Sequence, residues 1–264
     1  MTTLSELAVA VLQTADATEK AQLSRTNAEL WRSTPDMPIG DLLPPDRPAR
    51  PATPELINPH DMPRRRGQSA KSRATLLHAV LHIELNAIDL AWDMIARFNA
   101  HNMPREFFDD WVTVGDEEGK HFMLLSSRVS ELGYSYGDFP AHDGLWEAAF
   151  DTRNDIAARL AVVPMVLEAR GLDVTPGMIA RFAKMEDFES IKILEIILAD
   201  EIGHVATGNR WFHYICGKTQ KSPKEYWQEL VRKNFRGLLK PPFNEEARTK
   251  ANLSPDYYLP LSNR

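Results

Sequence analysis

Apolar residues recur along this chain at intervals of three and four, the signature of helices that bury one face. Val80, Ile83, Ala87, Leu90, Ala91 and Met94 predict a helix over about 70–100. Phe107, Trp111, Val114, Phe122, Leu125, Val129 and Leu132 predict a second over about 105–132, starting after Pro104. Ile156, Leu160, Val163 and Leu167 predict a third over about 144–170, with a kink at Pro164. Ile191, Leu194, Leu198, Val205, Trp211 and Phe212 predict a fourth over about 187–216. No segment alternates with period two, so the expected class is all-α.

The flanks differ. Residues 1–34 read as helical, with Leu4, Leu7, Val11 and Leu12 on one face. Residues 35–67 hold nine of the eighteen prolines. Proline lacks an amide donor and restricts its neighbours, so this stretch should be an extended arm. Leu42, Leu43, Leu56 and Ile57 lie among the prolines and are expected to dock it. The tail carries one more helical piece near Lys224–Leu239, then Pro241-Pro242. The expected organisation is 1–68 as N-terminal helices and arm packing on a bundle, 69–217 as a four-helix bundle, and 218–264 as a helix and irregular tail.

Charged residues interrupt the apolar stripes at particular places. Glu84 sits among Val80, Ala87 and Ala91; Glu118 and His121 sit between Val114 and Leu125. Glu168 follows Pro164 by one turn; Glu201 and His204 sit between Leu198 and Gly208. A glutamate and a histidine three apart share a helix face. Four buried carboxylates without cations would be very costly. Two divalent metals would neutralise them, with one Glu from each of two helices and Glu-x-x-His from each of the other two, the ligand set of di-iron carboxylate bundles. A single Glu-x-x-His is more often a solvated salt bridge. Here the motif occurs twice, at matched spacing: Glu84 to Glu118 is 34 residues and Glu168 to Glu201 is 33. Met94-Ile-Ala-Arg-Phe98 recurs as Met178-Ile-Ala-Arg-Phe182, and Asp89 as Asp173, both offset by 84. The chain is read as a repeated helix pair, with half of a metal site in each repeat.

Composition narrows the classes. Net charge is −6, with 43% apolar and 26% charged residues, which argues against whole-chain disorder and gives no global pull toward nucleic acid or membrane. One cysteine, Cys216, cannot form an internal disulfide and fits a reducing compartment. The N-terminus lacks the pattern of a signal peptide, and no stretch reads as a membrane span. A cytoplasmic protein is expected.

Particular stretches resemble the ferritin-like superfamily. Leu81-His-Ile-Glu-Leu-Asn-Ala-Ile-Asp89, Asp116-Glu-Glu-Gly-Lys-His-Phe122, Tyr136-Gly-Asp-Phe-Pro-Ala-His-Asp-Gly-Leu-Trp146, Val163-Pro-Met-Val-Leu-Glu-Ala-Arg-Gly-Leu-Asp173 and Asp200-Glu-Ile-Gly-His-Val205 are more closely similar to a bacterial family of it, domain of unknown function 455. The likeness covers roughly residues 45–250. A more distant likeness is to the di-iron hydroxylases of isopentenylated adenosine in tRNA. The resemblance implies a ferritin-like four-helix bundle holding two iron ions, with manganese or a mixed pair fitting the same ligands. Glu118 and Glu201 would bridge the ions and carry the chemistry; Glu84, Glu168, His121 and His204 would be terminal. Asp200 and Glu117 are candidates to orient the imidazoles. Three functions follow: an O₂- or peroxide-activating hydroxylase or oxidase, a ferroxidase or iron-storage protein, and a metal-stabilised partner-binding scaffold. The extensions outside the bundle favour a discrete enzyme, a monomer or small homo-oligomer, with an electron donor and a small-molecule or RNA substrate still to be identified.

Other candidates carry less. His78 and His82 are one turn apart, a zinc-compatible spacing, but a core role is the simpler reading. Arg64-Arg-Arg66 with Lys71 and Arg73 reads as a solvated flank rather than a phosphate site. His142, Asp143 and Trp146 either border a substrate pocket or pack at a helix start.

Overall fold

A computed structural model describes residues 2–63 and 67–262. The described residues are mostly helical, with two isolated β-bridges and no strand. The all-α expectation is met. Contacts divide the chain into two compact units, Met1–Trp146 and Glu147–Arg264.

The first unit contains α1 (Leu4–Gln13), α2 (Ala17–Ser33), α3 (Ala70–Arg97) and α4 (Arg105–Glu131). Polar caps start the first three. Thr3 and Glu6 form a capping box, and the side chains of Asp16 and Ser69 accept from Glu19 and Ser72 amides. The pair α3–α4 packs most extensively, with α2 on α4 and α1 on α3. Gly115 lets α3 approach α4, because a Cβ there would lie 2.8 Å from Trp92 Nε1. That indole donates to Ser24 Oγ at 2.6 Å, and Ser24 donates on to the Gly115 carbonyl at 2.6 Å. A buried polar chain thereby ties α2 to both α3 and α4, with each donor satisfied.

The proline arm is docked, but not by its leucines. Leu42, Leu43 and Leu56 are exposed, Leu43 to 68%. Backbone carbonyls hold the arm instead. Pro38 and Ile39 accept from the Leu4 and Ser5 amides, Pro45 from Arg97, Met37 from Arg105 and Ala49 from Lys20. A chain poor in amide donors still presents every carbonyl, so cationic side chains are its natural partners. The arm's later part pairs with the loop after α4: the Ile57 amide donates to Ala141, and the Ala141 amide to Glu55.

α5 (Gly144–Asp151) runs across the division between units. The second unit then contains α6 (Ile156–Val162), a π-helical turn (Val163–Glu168), α7 (Ala169–Ala183), α8 (Phe188–Thr219), α9 (Pro223–Asn234), α10 (Glu245–Lys250) and α11 (Pro255–Tyr258). The single helix expected over 144–170 is thus interrupted twice. The chain breaks before Asp155, whose side chain caps α6. At Pro164 it widens into a π-turn rather than kinking. α7 packs on α8, the second helix pair of the repeat, and α6 packs on α9.

α3 is long and apolar enough to cross a membrane, which the sequence reading had not anticipated. Most of that stretch, 78%, is buried within the protein, as in the core helix of a soluble fold.

Candidate metal centre

In the first unit, Glu84 on α3 and Glu118 and His121 on α4 come to one buried point. All three side chains are at most 2% exposed, and their ligand atoms lie within 4.8 Å of one another. His121 turns Nδ1 toward Glu84 Oε2 at 3.2 Å and Glu118 Oε2 at 3.5 Å. Glu118 and His121 share a face of α4 because they are three apart. Burial first, and the neighbouring Glu118 carboxylate second, push Glu84 well above the usual carboxylate range, with His121 opposing. Two carboxylates so placed cannot both stay charged without a cation between them.

The second unit repeats part of this. Glu201 and His204 are buried on one face of α8, with His204 Nδ1 3.7 Å from Glu201 Oε1. In both motifs the same imidazole nitrogen faces the glutamate three residues earlier. Glu168 is buried too and ends the π-turn. Each sequence-predicted ligand is therefore buried. Carboxylate oxygens with imidazole nitrogen form a donor set suited to iron, manganese or zinc.

The other candidates resolve differently. His78 and His82 are hydrogen-bonding core residues. Gly137 N–H donates to His78 Nε2 at 2.9 Å. His82 Nε2 lies 3.1 Å from the His142 carbonyl and so carries the proton there, which leaves Nδ1 to accept from Tyr136 O–H at 2.9 Å. Burial, with the Arg50 guanidinium second, holds His82 down at about 4, and burial raises the Tyr136 phenol. Asp143 pairs with Arg47 of the arm at 2.5 Å, and Trp146 is buried, so that block serves packing and docking. Glu117 and Asp200 are partly buried. Arg64-Arg-Arg66 lies outside the described residues.

Sequence reasoning noted Asp89 and Asp173 only as a repeat. Both are buried anchors. Lys20 Nζ meets Asp89 Oδ1 at 2.5 Å and Arg50 Nε meets Oδ2 at 2.8 Å. Arg248 grips Asp173 through Nε and Nη2 at 2.8 and 2.7 Å. In both repeats a cation from an extension reaches an aspartate five residues past the candidate ligand glutamate. The recurrence of an aspartate on an otherwise apolar face was the available signal.

Residues 13–259 match the family described as "Protein of unknown function (DUF455)". The chain belongs to this family. A relative from Haemophilus influenzae, described as an uncharacterized protein, is 44% identical over 211 residues, which cover 78% of this chain and 73% of that one. No solved structure matches. The DUF455 match spans both glutamate–histidine sets, both aspartate anchors and the whole proline arm, so the arm belongs to the family unit rather than being an appendage to it.

Proposed function

We propose that this DUF455 protein is a ferritin-like di-iron carboxylate oxidoreductase that activates O₂ or peroxide. The observation that carries the reading is the buried convergence of Glu84, Glu118 and His121, repeated in type by Glu168, Glu201 and His204. Buried carboxylates facing one another require a counter-charge, and metal ions supply it most compactly. In this reading Glu84, Glu118, His121, Glu168, Glu201 and His204 would hold two metal ions. The ions, when bound, supply redox and O₂ chemistry that no side chain here provides.

The chain's own residues do the rest. Glu84 and Glu168 set how much negative charge surrounds the site, and the two imidazoles present Nδ1 from fixed helix positions. Phe122 and Leu125, buried one turn on from the first motif, keep water from its helix face. Docked extensions on both repeats favour a discrete enzyme over a subunit of a closed storage shell. The lone cysteine, Cys216, is buried, and burial raises its thiol to about 11, which leaves it no role as a thiolate in this reading.

The test is anaerobic ferrous loading followed by exposure to O₂, with size-exclusion chromatography alongside. The expected result is a monomer or small oligomer that consumes O₂ for one turnover of its bound iron and then stops without an organic substrate. Glu118→Ala and Glu201→Ala should each abolish that consumption. A cage-sized particle that takes up iron far beyond its ligand set would make storage the correct reading.

A further inference from the structure

The π-turn at Val163–Glu168 has no counterpart in the first repeat, where α3 runs unbroken through Glu84. After the glutamates they stay in step, since Asp89 follows Glu84 by five residues and Asp173 follows Glu168 by five. Before them the spacing is kept but the backbone differs. Val80, four residues ahead of Glu84, lies in the uninterrupted α3. Pro164, four ahead of Glu168, lies in the π-turn. A π-turn takes in one residue more than an α-turn, and each residue turns the chain by about 100°. The direction in which Glu168 leaves its helix, relative to α6, therefore depends on that turn staying wide.

The cause is local. Pro164 has no amide to donate, and its ring clashes with the preceding turn of a regular α-helix. The ring needs room, and α8 gives it at Gly208. A Cβ built on Gly208 would lie 2.4 Å from both Cβ and Cγ of Pro164. Gly208 sits inside α8, where glycine costs helix stability, so what it contributes there is space. Gly217 on the same helix meets nothing within 4 Å. The positions matching Pro164 and Gly208 in the first repeat are Val80 and Leu125, both buried. Proline and glycine replace valine and leucine as a complementary pair.

We propose that Pro164 and Gly208 are positioning residues for Glu168. The glycine receives the proline ring, the ring holds the π-turn open, and the open turn aims the carboxylate. The assignment rests on the reading of Glu168 as a metal ligand.

The test titrates Co(II) anaerobically into the full-length protein, reading both the binding isotherm and the visible ligand-field bands, for wild type, Gly208→Ala, Pro164→Val and Gly217→Ala. Wild type and Gly217→Ala should bind two cobalt ions with one spectrum. Gly208→Ala and Pro164→Val should each weaken one of the two ions at least tenfold and change the bands. Should Gly208→Ala not fold, Pro164→Val, which adds no bulk at the contact, decides alone. A merely structural role would lower the melting temperature of the metal-free variants and leave isotherm and bands unchanged, and that result overturns the inference while leaving the metal reading intact. A folded wild type that binds fewer than two ions overturns the metal reading, and the inference with it.

Discussion

The two repeats present the same acidic positions through different packing. In the first, an unbroken α3 carries Glu84, and Trp92 fills the space that Gly115 leaves on α4. In the second, a π-turn carries Glu168, and Pro164 fills the space that Gly208 leaves on α8. The anchors differ as well: Asp89 holds two cations, from α2 and from the arm, whereas Asp173 holds Arg248 from the tail and, more loosely at 3.6 Å, Arg170 of its own helix. Glutamate, histidine and aspartate recur at matching positions in both repeats. Bulk and backbone shape can be exchanged between neighbouring helices, and they have been.

The largest separation should come from the anchors. Asp89→Ala leaves a fully buried Lys20 and a nearly buried Arg50 facing each other without a carboxylate. Removing one partner of a buried pair costs about 3–5 kcal/mol, and this case should lie at the upper end. Asp173→Ala should lie at the lower end, about 3 kcal/mol, because Arg248 keeps its contacts over the Tyr258 and Phe243 rings at 4.5 and 5.1 Å. Urea denaturation of the metal-free variants measures both. The reverse ranking would show that the two anchors are not loaded as described.

Packing comes next. Gly115→Ala pushes a methyl toward Trp92 Nε1 and disturbs the bond to Ser24, and should cost about 1–3 kcal/mol. Gly171→Ala, in α7 with nothing within 4 Å, should be neutral or stabilising by up to about 1 kcal/mol. Thermal melts of the two variants side by side give the comparison, and equal losses would count against the close approach of Trp92. The smallest effect is at the surface. Asp116 pairs with Arg25 and Arg32 at 3.1 and 2.6 Å, but both arginine side chains are 46% exposed. Asp116→Ala should cost under about 1 kcal/mol, and less in high salt. A loss that persists in molar salt would mean that the pair is not screened.

The sequence made the helices and the polar interruptions legible because helical period and a charged residue on an apolar stripe are local signals. It misplaced residues where burial is nearly complete. α3 is buried on most of its circumference, so its stripe gave no true face, and Ile83, counted with the core, is 42% exposed. It misread the arm by assuming that leucines dock a proline-rich segment, when carbonyls held by Lys20, Arg97 and Arg105 do. Those partners lie tens of residues away, beyond the reach of any local pattern. It read Pro164 as a kink because the space that admits a π-turn is created by Gly208, on a different helix.

Metal content is the most direct test of the proposed site. The purified full-length protein, loaded anaerobically with ferrous iron, desalted and analysed by elemental mass spectrometry, should carry two irons per chain, falling to one or none in Glu118→Ala and in Glu201→Ala. A folded wild type that retains no metal, or whose metal is untouched by both substitutions, would contradict it.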